Sequence, residues 1–171
     1  MTLKRLKKIW DNGEYALNGW LSINNSFIAE IMSRQNYDTL TIDMQHGLID
    51  YSDLIGMLQG ITGSNVTPIV RVPWLDPGYI MKALDAGAQG IISPMINNKK
   101  EAEEFVSYMR YPPLGNRSFG PTRQNIVQGS DYYKTANENV LCIAMIETAE
   151  AMENLEEIIS TDGLDAVYIG P

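Results

Sequence analysis

The 171-residue sequence lacks the features on which several classes of protein depend. It has 13 Lys plus Arg against 21 Asp plus Glu, a formal net charge of −8, and so lacks the basic surface that nucleic-acid-binding proteins use to contact phosphates. The same acidic balance disfavours a membrane-surface role. Its longest apolar run, residues 140–146, falls far short of the roughly 20 residues that cross a bilayer. We expect neither nucleic acid nor membrane among its partners.

Cysteine and histidine each occur once. The single Cys142 excludes an intrachain disulfide and fits a reducing compartment, so we expect a cytoplasmic location. Because it lies inside the apolar run, we interpret it as a buried structural thiol. The single His46 must be the base if the protein uses a neutral-pH imidazole. Its alternative interpretation is a structural histidine.

Glycine-rich nucleotide-binding motifs are missing as well. The sequence contains neither GxGxxG after its first apolar run nor GxxxxGK[ST] anywhere, which disfavours an open nucleotide-binding sheet. Instead, short β-prone runs alternate with segments of helical periodicity, at intervals typical of a βα unit. This alternation predicts a parallel α/β protein and favours a TIM (β/α)8 barrel. The expected strands are Leu17 to Ile23, Thr39 to Met44, Pro68 to Val72, Gly90 to Met95, Leu141 to Ile146 and Asp165 to Ile169.

Several helix boundaries are also readable. Leu3, Leu6 and Ile9 form one apolar stripe and predict a short amphipathic helix at the start of the chain. Asp50 predicts a helix N-terminus, and Asp76 followed by Pro77 predicts another. Gly87 suits the C-terminal end of the latter helix.

Length and spacing set two further expectations. A complete eightfold barrel takes about 250 residues, so residues 1–171 are expected to form a single, incomplete barrel domain with about six of eight βα units. On this basis the chain is interpreted as a fragment of a longer protein. The long interval between the fourth and fifth strands, which includes YPPLGNRSFGPTR, predicts an ordered active-site or interface loop, with a mobile insertion as the alternative.

Four polar residues are expected at the rim where such barrels carry their reacting groups. His46 follows the second strand, Arg71 ends the third, Asp85 ends a helix and Glu147 ends the fifth strand. Arg71 suits a substrate carboxylate or an enolate oxygen, with a strand-end ion pair as the alternative. Glu147 suits a metal or catalysis, or else is a buried hydrogen-bonded carboxylate. Asp85 has the alternative interpretation of a solvated charge at a helix end.

The order of the motifs resembles a known family. The matching segments are IDMQHG, VRVPWLDPGYIMKALDAGAQGIISPMINN, RYPPLGNRSFGP, IAMIETAEAMENLEEI and GLDAVYIGP. Together they resemble the HpcH/HpaI aldolase/citrate lyase family, close to the 4-hydroxy-2-oxoheptanedioate and 2-dehydro-3-deoxyglucarate aldolases. The resemblance implies a (β/α)8 barrel of the phosphoenolpyruvate/pyruvate type, usually a hexamer with swapped terminal helices. It also implies metal-dependent (class II) cleavage of a 4-hydroxy-2-oxo acid to pyruvate and an aldehyde.

The resemblance also implies roles for individual residues. Glu147 matches a carboxylate ligand of a divalent metal such as Mg²⁺, Mn²⁺ or Co²⁺, to which pyruvate binds before it forms its enolate. Arg71 matches the arginine that stabilises that enolate. His46 matches the acid/base histidine, with Asp85 as its partner. The substrate-binding candidates in the long loop are Arg117 and Arg123, which suit the distal end of an acidic aldehyde.

Two positions depart from the family pattern. Gln45 stands where many members have glutamate, which removes one negative charge beside His46. The second metal carboxylate of the family is expected two residues beyond the final Gly170–Pro171. Two other functions therefore stay open: an acyl-CoA or other carbon–carbon lyase of the same superfamily, and a catalytically inactive barrel fragment.

Overall fold

The computed structural model describes residues 2–170, which form alternating helices and strands. The helices are α1 (Thr2–Asp11), α2 (Ser26–Ser33), α3 (Tyr51–Ile61), α4 (Pro77–Ala86), α5 (Lys99–Met109), α6 (Thr122–Gln128), α7 (Tyr132–Ala136), α8 (Ala149–Glu153) and α9 (Leu155–Ile159). The strands are β1 (Asn18–Leu21), β2 (Thr39–Asp43), β3 (Thr67–Arg71), β4 (Gly90–Ser93), β5 (Leu141–Ile146) and β6 (Ala166–Ile169).

The strands form one parallel sheet in the sequential order β1 to β6. The six strands predicted from the sequence are thereby confirmed, and their observed bounds differ by at most a few residues. The sheet curls until inward side chains from its first and last strands meet. Trp20 of β1 stacks against Tyr168 of β6 with ring centroids 5.6 Å apart. Six successive strands curled in this way are the wall of a TIM barrel.

Alternation along each strand divides the buried side chains into two sets. Ile42 and Val70 face outward and belong to the core between the sheet and its helices. Ile69, Ile92 and Ile143 face inward and form a second cluster. That inner cluster also contains Leu3 and Leu6 of α1, the predicted amphipathic helix. Helix α1 therefore covers part of the interior with its apolar stripe.

The predicted helix boundaries are confirmed by their capping contacts. Asp50 accepts hydrogen bonds from the N–H groups of Ser52 and Asp53, and Asp53 completes a capping box. Asp76 accepts from the N–H of Tyr79, with proline in the first helical turn. Gly87 ends α4 at φ 126°, a backbone conformation that residues with a Cβ rarely adopt.

The long interval between β4 and β5 holds more regular structure than the sequence predicted. Helix α5 is followed by the short helices α6 and α7, which the proline- and glycine-rich sequence gave no periodicity to reveal. Gln124 of α6 is buried and donates to the carbonyl oxygens of Leu84 and Ala88. The segment is thus tied to the end of α4, which agrees with the predicted order of this loop, while its role at an active site or interface stays a prediction.

Cys142 is fully buried on β5, as predicted. Burial raises the pKa of its thiol, which keeps the sulfur protonated and unreactive. Across residues 2–170, no helix combines the length and the apolar character needed to cross a membrane.

Candidate active site

The centre of the site is an ion pair between two adjacent strands. Asp43 and Arg71 end β2 and β3 and are paired in the register of the sheet. The Nε and Nη2 groups of Arg71 donate to the two carboxylate oxygens of Asp43 at 2.9 and 2.7 Å. Both side chains are buried, with 10% of the arginine and 3% of the aspartate side chain exposed. This bidentate geometry fixes the position of the guanidinium relative to the carboxylate.

Asp43 is held in its charged form. Burial alone raises the pKa of its carboxyl, but the Arg71 guanidinium and the backbone N–H groups of His46 and Gln45 lower it by more. The pKa of Asp43 is therefore below its ordinary value of 3.8. At neutral pH the pair is an ionised carboxylate and a guanidinium.

Arg71 keeps part of its hydrogen-bonding capacity available. A guanidinium carries five N–H donors, and Asp43 takes one from Nε and one from Nη2. Among the described residues, the partner of Nη1 is the sulfur of Met145 at 3.8 Å. A thioether is a weak acceptor, so an oxyanion at this edge of the arginine is a much stronger partner.

His46 lies in the loop after β2, next to the ion pair. Its backbone N–H donates to Oδ1 of Asp43 at 3.3 Å, and that of Gln45 donates to the same atom at 3.0 Å. These contacts anchor the loop, while the His46 side chain is exposed. The imidazole is therefore accessible to a substrate at the carboxyl edge of the sheet. Gly47 packs so closely on the backbone of Asp43 and Ser22 that a Cβ has no room there.

Glu147 follows β5 at the same edge. One carboxylate oxygen, Oε1, accepts the N–H of Met95 at 2.7 Å, which ties the side chain to the loop after β4. Met95 adopts a positive φ of 56°, which is uncommon for a residue with a side chain. The amide oxygen of Gln45 is buried and has no hydrogen-bond partner within residues 2–170.

The chemistry of Glu147 decides how well a divalent metal fits here. Its carboxylate is the kind of oxygen ligand that a hard cation such as Mg²⁺ or Mn²⁺ prefers, so this residue fits such a metal. No cluster of three or more His, Cys, Asp or Glu side chains suitable for a metal occurs in the described part of the chain. The second carboxylate implied by the resemblance falls beyond Pro171, outside the described residues.

Asp85 lies elsewhere, contrary to the expectation of a single rim. It is in the last turn of α4, and a helix that follows a strand returns toward the amino end of the sheet. Its described ion-pair partner is Arg117, at 2.7 Å from Oδ1, not His46. The pairing with His46 is therefore not observed within this chain.

The two loop arginines also contact protein rather than the carboxyl edge. Arg117 is buried, with its guanidinium 4.4 Å from the ring centroid of Tyr111 and Nη1 donating to the hydroxyl of Tyr132. Arg123 donates to the carbonyl oxygen of Ala86 and to the Thr62 hydroxyl, at the C-terminal ends of α4 and α3. A cation at helix C-termini is stabilising. Among the described residues both arginines therefore contact protein groups, and their role in binding the aldehyde stays a prediction.

Comparison with known proteins identifies the family of the chain. The sequence profile described as HpcH/HpaI aldolase/citrate lyase matches residues 17–171. The chain belongs to this family. It is 46% identical over 169 residues to a hydroxypyruvate/pyruvate aldolase of Rhizorhabdus wittichii. This alignment covers 99% of the chain and 67% of that relative. It is 38% identical to a 2-dehydro-3,6-dideoxy-6-sulfogluconate aldolase of Pseudomonas putida, covering 91% of the chain and 62% of the relative.

Solved structures of the HpcH/HpaI family confirm the fold. A family member from Burkholderia cenocepacia superposes with a TM-score of 0.87 at 33% identity, covering 98% of this chain and 68% of that one. The six strands described above are therefore barrel strands of the family fold. The chain spans about three fifths to two thirds of the length of the relatives it matches.

Sequence reasoning missed two members of the candidate site. Asp43 is one of them: its signal is an aspartate at the end of the strand next to the one that Arg71 ends, where an ion pair across the two strand ends is possible. Trp20 had no such signal, because one aromatic residue in an apolar strand is indistinguishable from core. Its Nε1–H donates to Oδ2 of Asp43 at 3.3 Å, and Arg71 lies over its ring with 4.9 Å to the centroid.

Proposed function

We propose that this chain supplies the reacting groups of a pyruvate aldolase, which cleaves a 4-hydroxy-2-oxo acid into pyruvate and an aldehyde. The observation that supports it best is the buried Arg71 at the carboxyl edge of the barrel. Asp43 fixes this arginine, while the partner of its Nη1 group among the described residues is the weakly accepting sulfur of Met145. Two named relatives are aldolases. The sulfogluconate and hydroxypyruvate in those names contain acid groups, which agrees with a 2-oxo acid substrate here.

The residues define a simple cleavage step. His46 accepts the proton of the C4 hydroxyl, the C4 oxygen becomes a carbonyl, and the C3–C4 bond breaks. The electron pair of that bond becomes the C2–C3 double bond, and the π pair of the C2 carbonyl moves onto the C2 oxygen, which becomes the enolate oxygen of pyruvate. Arg71 stabilises that charge with a guanidinium that is already oriented. Protonation at C3 then gives pyruvate, and the reverse sequence gives aldol addition.

We propose a divalent cation, Mg²⁺, Mn²⁺ or Co²⁺, held in part by Glu147. When bound, it supplies Lewis acidity toward the oxygens of the 2-oxo acid. Glu147 is suited to this role because the N–H of Met95 orients its carboxylate at the edge of β5. Removal of the metal with EDTA is expected to abolish activity, and addition of one of these ions is expected to restore it.

Deuterium exchange into the methyl group of pyruvate tests the proposal with a single substrate. The exchange requires enolate formation but no aldehyde, and it is followed by proton NMR in D2O with added metal. Arg71→Lys is expected to slow it by about 100-fold or more, because one oriented donor at a developing oxyanion contributes about that much. Arg34→Lys, at an exposed arginine after α2, is the matched control and should exchange like the wild type.

Two outcomes contradict the proposal. One is an absence of metal-dependent exchange in the wild-type protein, and the other is equal exchange in Arg71→Lys and Arg34→Lys. His46 is tested separately, by coupling retro-aldol cleavage of a 4-hydroxy-2-oxo acid to pyruvate reduction. His46→Ala should lose cleavage, because no other imidazole is present in the sequence.

The partners we propose are a small 2-oxo acid, an aldehyde and further copies of the same chain. Support for association comes from α2, where Phe27 and Ile31 expose 67% and 45% of their surfaces. Light scattering after size-exclusion chromatography measures the oligomeric state directly. A monomer at all concentrations contradicts self-association.

A further inference from the structure

Trp20 contacts both members of the central ion pair and is itself held by a third side chain. Its Nε1–H donates to Oδ2 of Asp43 at 3.3 Å. The guanidinium of Arg71 lies over its ring, 4.9 Å from the centroid. The ring of Tyr168, on β6, stacks on the ring of Trp20 with an interplanar angle of 27°.

These contacts restrict the ion pair in different ways. The carboxylate of Asp43 fixes the guanidinium within the plane of the two parallel hydrogen bonds, but by itself permits tilting about the shared axis. An aromatic face beside the guanidinium limits that tilt, because a planar cation and a ring attract each other. The hydrogen bond from Trp20 also limits rotation of the Asp43 carboxylate.

We propose that Trp20 is a positioning residue that keeps the Nη1 edge of Arg71 aimed at the enolate oxygen. The proposal rests on the aldolase function argued above. Trp20 makes no bond to the reacting atoms in this scheme, and its effect passes through Asp43 and Arg71. The orientation of Arg71 matters most when charge develops on the enolate oxygen. The loss of Trp20 should therefore lower the kcat of pyruvate exchange more than it raises the KM for pyruvate.

Two substitutions separate the ring from the N–H group. Trp20→Phe keeps an aromatic face but removes the donor, and the loss of one hydrogen bond predicts about a 5-fold lower kcat. Trp20→Leu removes both, and a misplaced catalytic group predicts a loss of up to about 100-fold. KM for pyruvate should stay within about 2-fold in both. Trp10→Phe, at an exposed position on α1, is the matched control and should match the wild type.

A spectroscopic readout reports the position of Arg71 without any turnover. In a ¹⁵N–¹H correlation spectrum, the Nε–H signal of Arg71 is assigned by its disappearance in Arg71→Lys. We expect a sharp signal in the wild type and in Trp10→Phe, a weaker signal in Trp20→Phe and a signal broadened beyond detection in Trp20→Leu. Circular dichroism verifies that each variant folds. If Trp20→Leu does not fold, the kcat and the Nε–H signal of Trp20→Phe decide the proposal.

The outcomes distinguish this inference from the proposed function. The positioning role is overturned if the Nε–H signal of Arg71 is unchanged in the Trp20 variants. It is also overturned if these variants keep the kcat of the wild type or if only their KM changes. If the wild-type protein shows no pyruvate exchange at all, the aldolase proposal fails, and the positioning of Arg71 for that reaction fails with it. If exchange is present and both readouts change as described, both proposals are supported.

Discussion

Arg71 donates from two nitrogen atoms to both carboxylate oxygens of Asp43, at 2.9 and 2.7 Å, in a buried pair that joins the ends of β2 and β3. Each charge compensates the other in a place where neither is well hydrated. Such a pair is costly to form but more costly to break, because removal of one member leaves an uncompensated buried charge. The pair is therefore a condition for the local structure as well as part of the proposed reacting apparatus.

Replacement of Asp43 by asparagine should reduce stability and activity together. The substitution leaves Arg71 buried without its carboxylate, and we expect a loss of about 3–5 kcal/mol in the free energy of unfolding. Urea denaturation measures this loss, and pyruvate exchange measures the activity. Asp131→Asn is the control, since its pair with Lys134 is largely exposed and should contribute less than about 1 kcal/mol. Equal stability of the two variants contradicts the prediction.

The same pair predicts how stability changes with pH. The pKa of Asp43 is lower in the folded protein than its ordinary value of 3.8, so folding favours the ionised carboxylate. Its contribution is fully present above about pH 4 and is lost as the pH falls through the lower, folded pKa. The stability difference between wild type and Asp43→Asn should therefore narrow on acidification below about pH 4. A difference that stays constant from pH 7 to pH 3 contradicts this prediction.

The strands and several caps could be predicted because the relevant signals are local. Asp50, Asp76 and Gly87 act within a few residues of their own positions, and the strand periodicity lies in consecutive residues. The contacts of Arg117 could not be predicted, because they join residues 32 and 15 positions apart in sequence. Asp85 is at the end of a helix that follows a strand, so the βα alternation already indicates the amino end of the barrel, and the expectation of a single rim overlooked the direction of that helix.

Gly47 should be intolerant of even one added methyl group. A Cβ at this position overlaps the carbonyl oxygen of Asp43 and approaches the backbone of Ser22, so the loop that carries His46 must move. We expect Gly47→Ala to lose most of the retro-aldol activity, because displacement of a catalytic group by about 1 Å costs about 100-fold. Gly120→Ala is the control, since a Cβ there meets nothing within 4 Å. Equal activity of the two variants refutes the steric argument.

The Cys142 thiol should be inert in the folded protein. It is fully buried on β5 and its pKa is raised by that burial, so little thiolate is available to react at pH 8. With a thiol reagent such as 5,5′-dithiobis(2-nitrobenzoate), we expect negligible reaction in native buffer and one equivalent in denaturant. Rapid native labelling contradicts the burial of this residue.

The ion pair between Asp85 and Arg117 is predicted to act on stability. The Arg117 side chain is fully buried and that of Asp85 is 19% exposed, and the pair links α4 to the segment before α6. Arg117→Met should cost about 3–5 kcal/mol, because it leaves the carboxylate without its partner. The double variant Arg117→Met/Asp85→Leu should cost less than the sum of the two single changes, which a double-mutant cycle in urea measures. Strict additivity contradicts a direct pair. An Arg117→Met protein of wild-type stability, with a raised KM for the aldehyde in aldol addition, would instead support the substrate-binding role implied by the family resemblance.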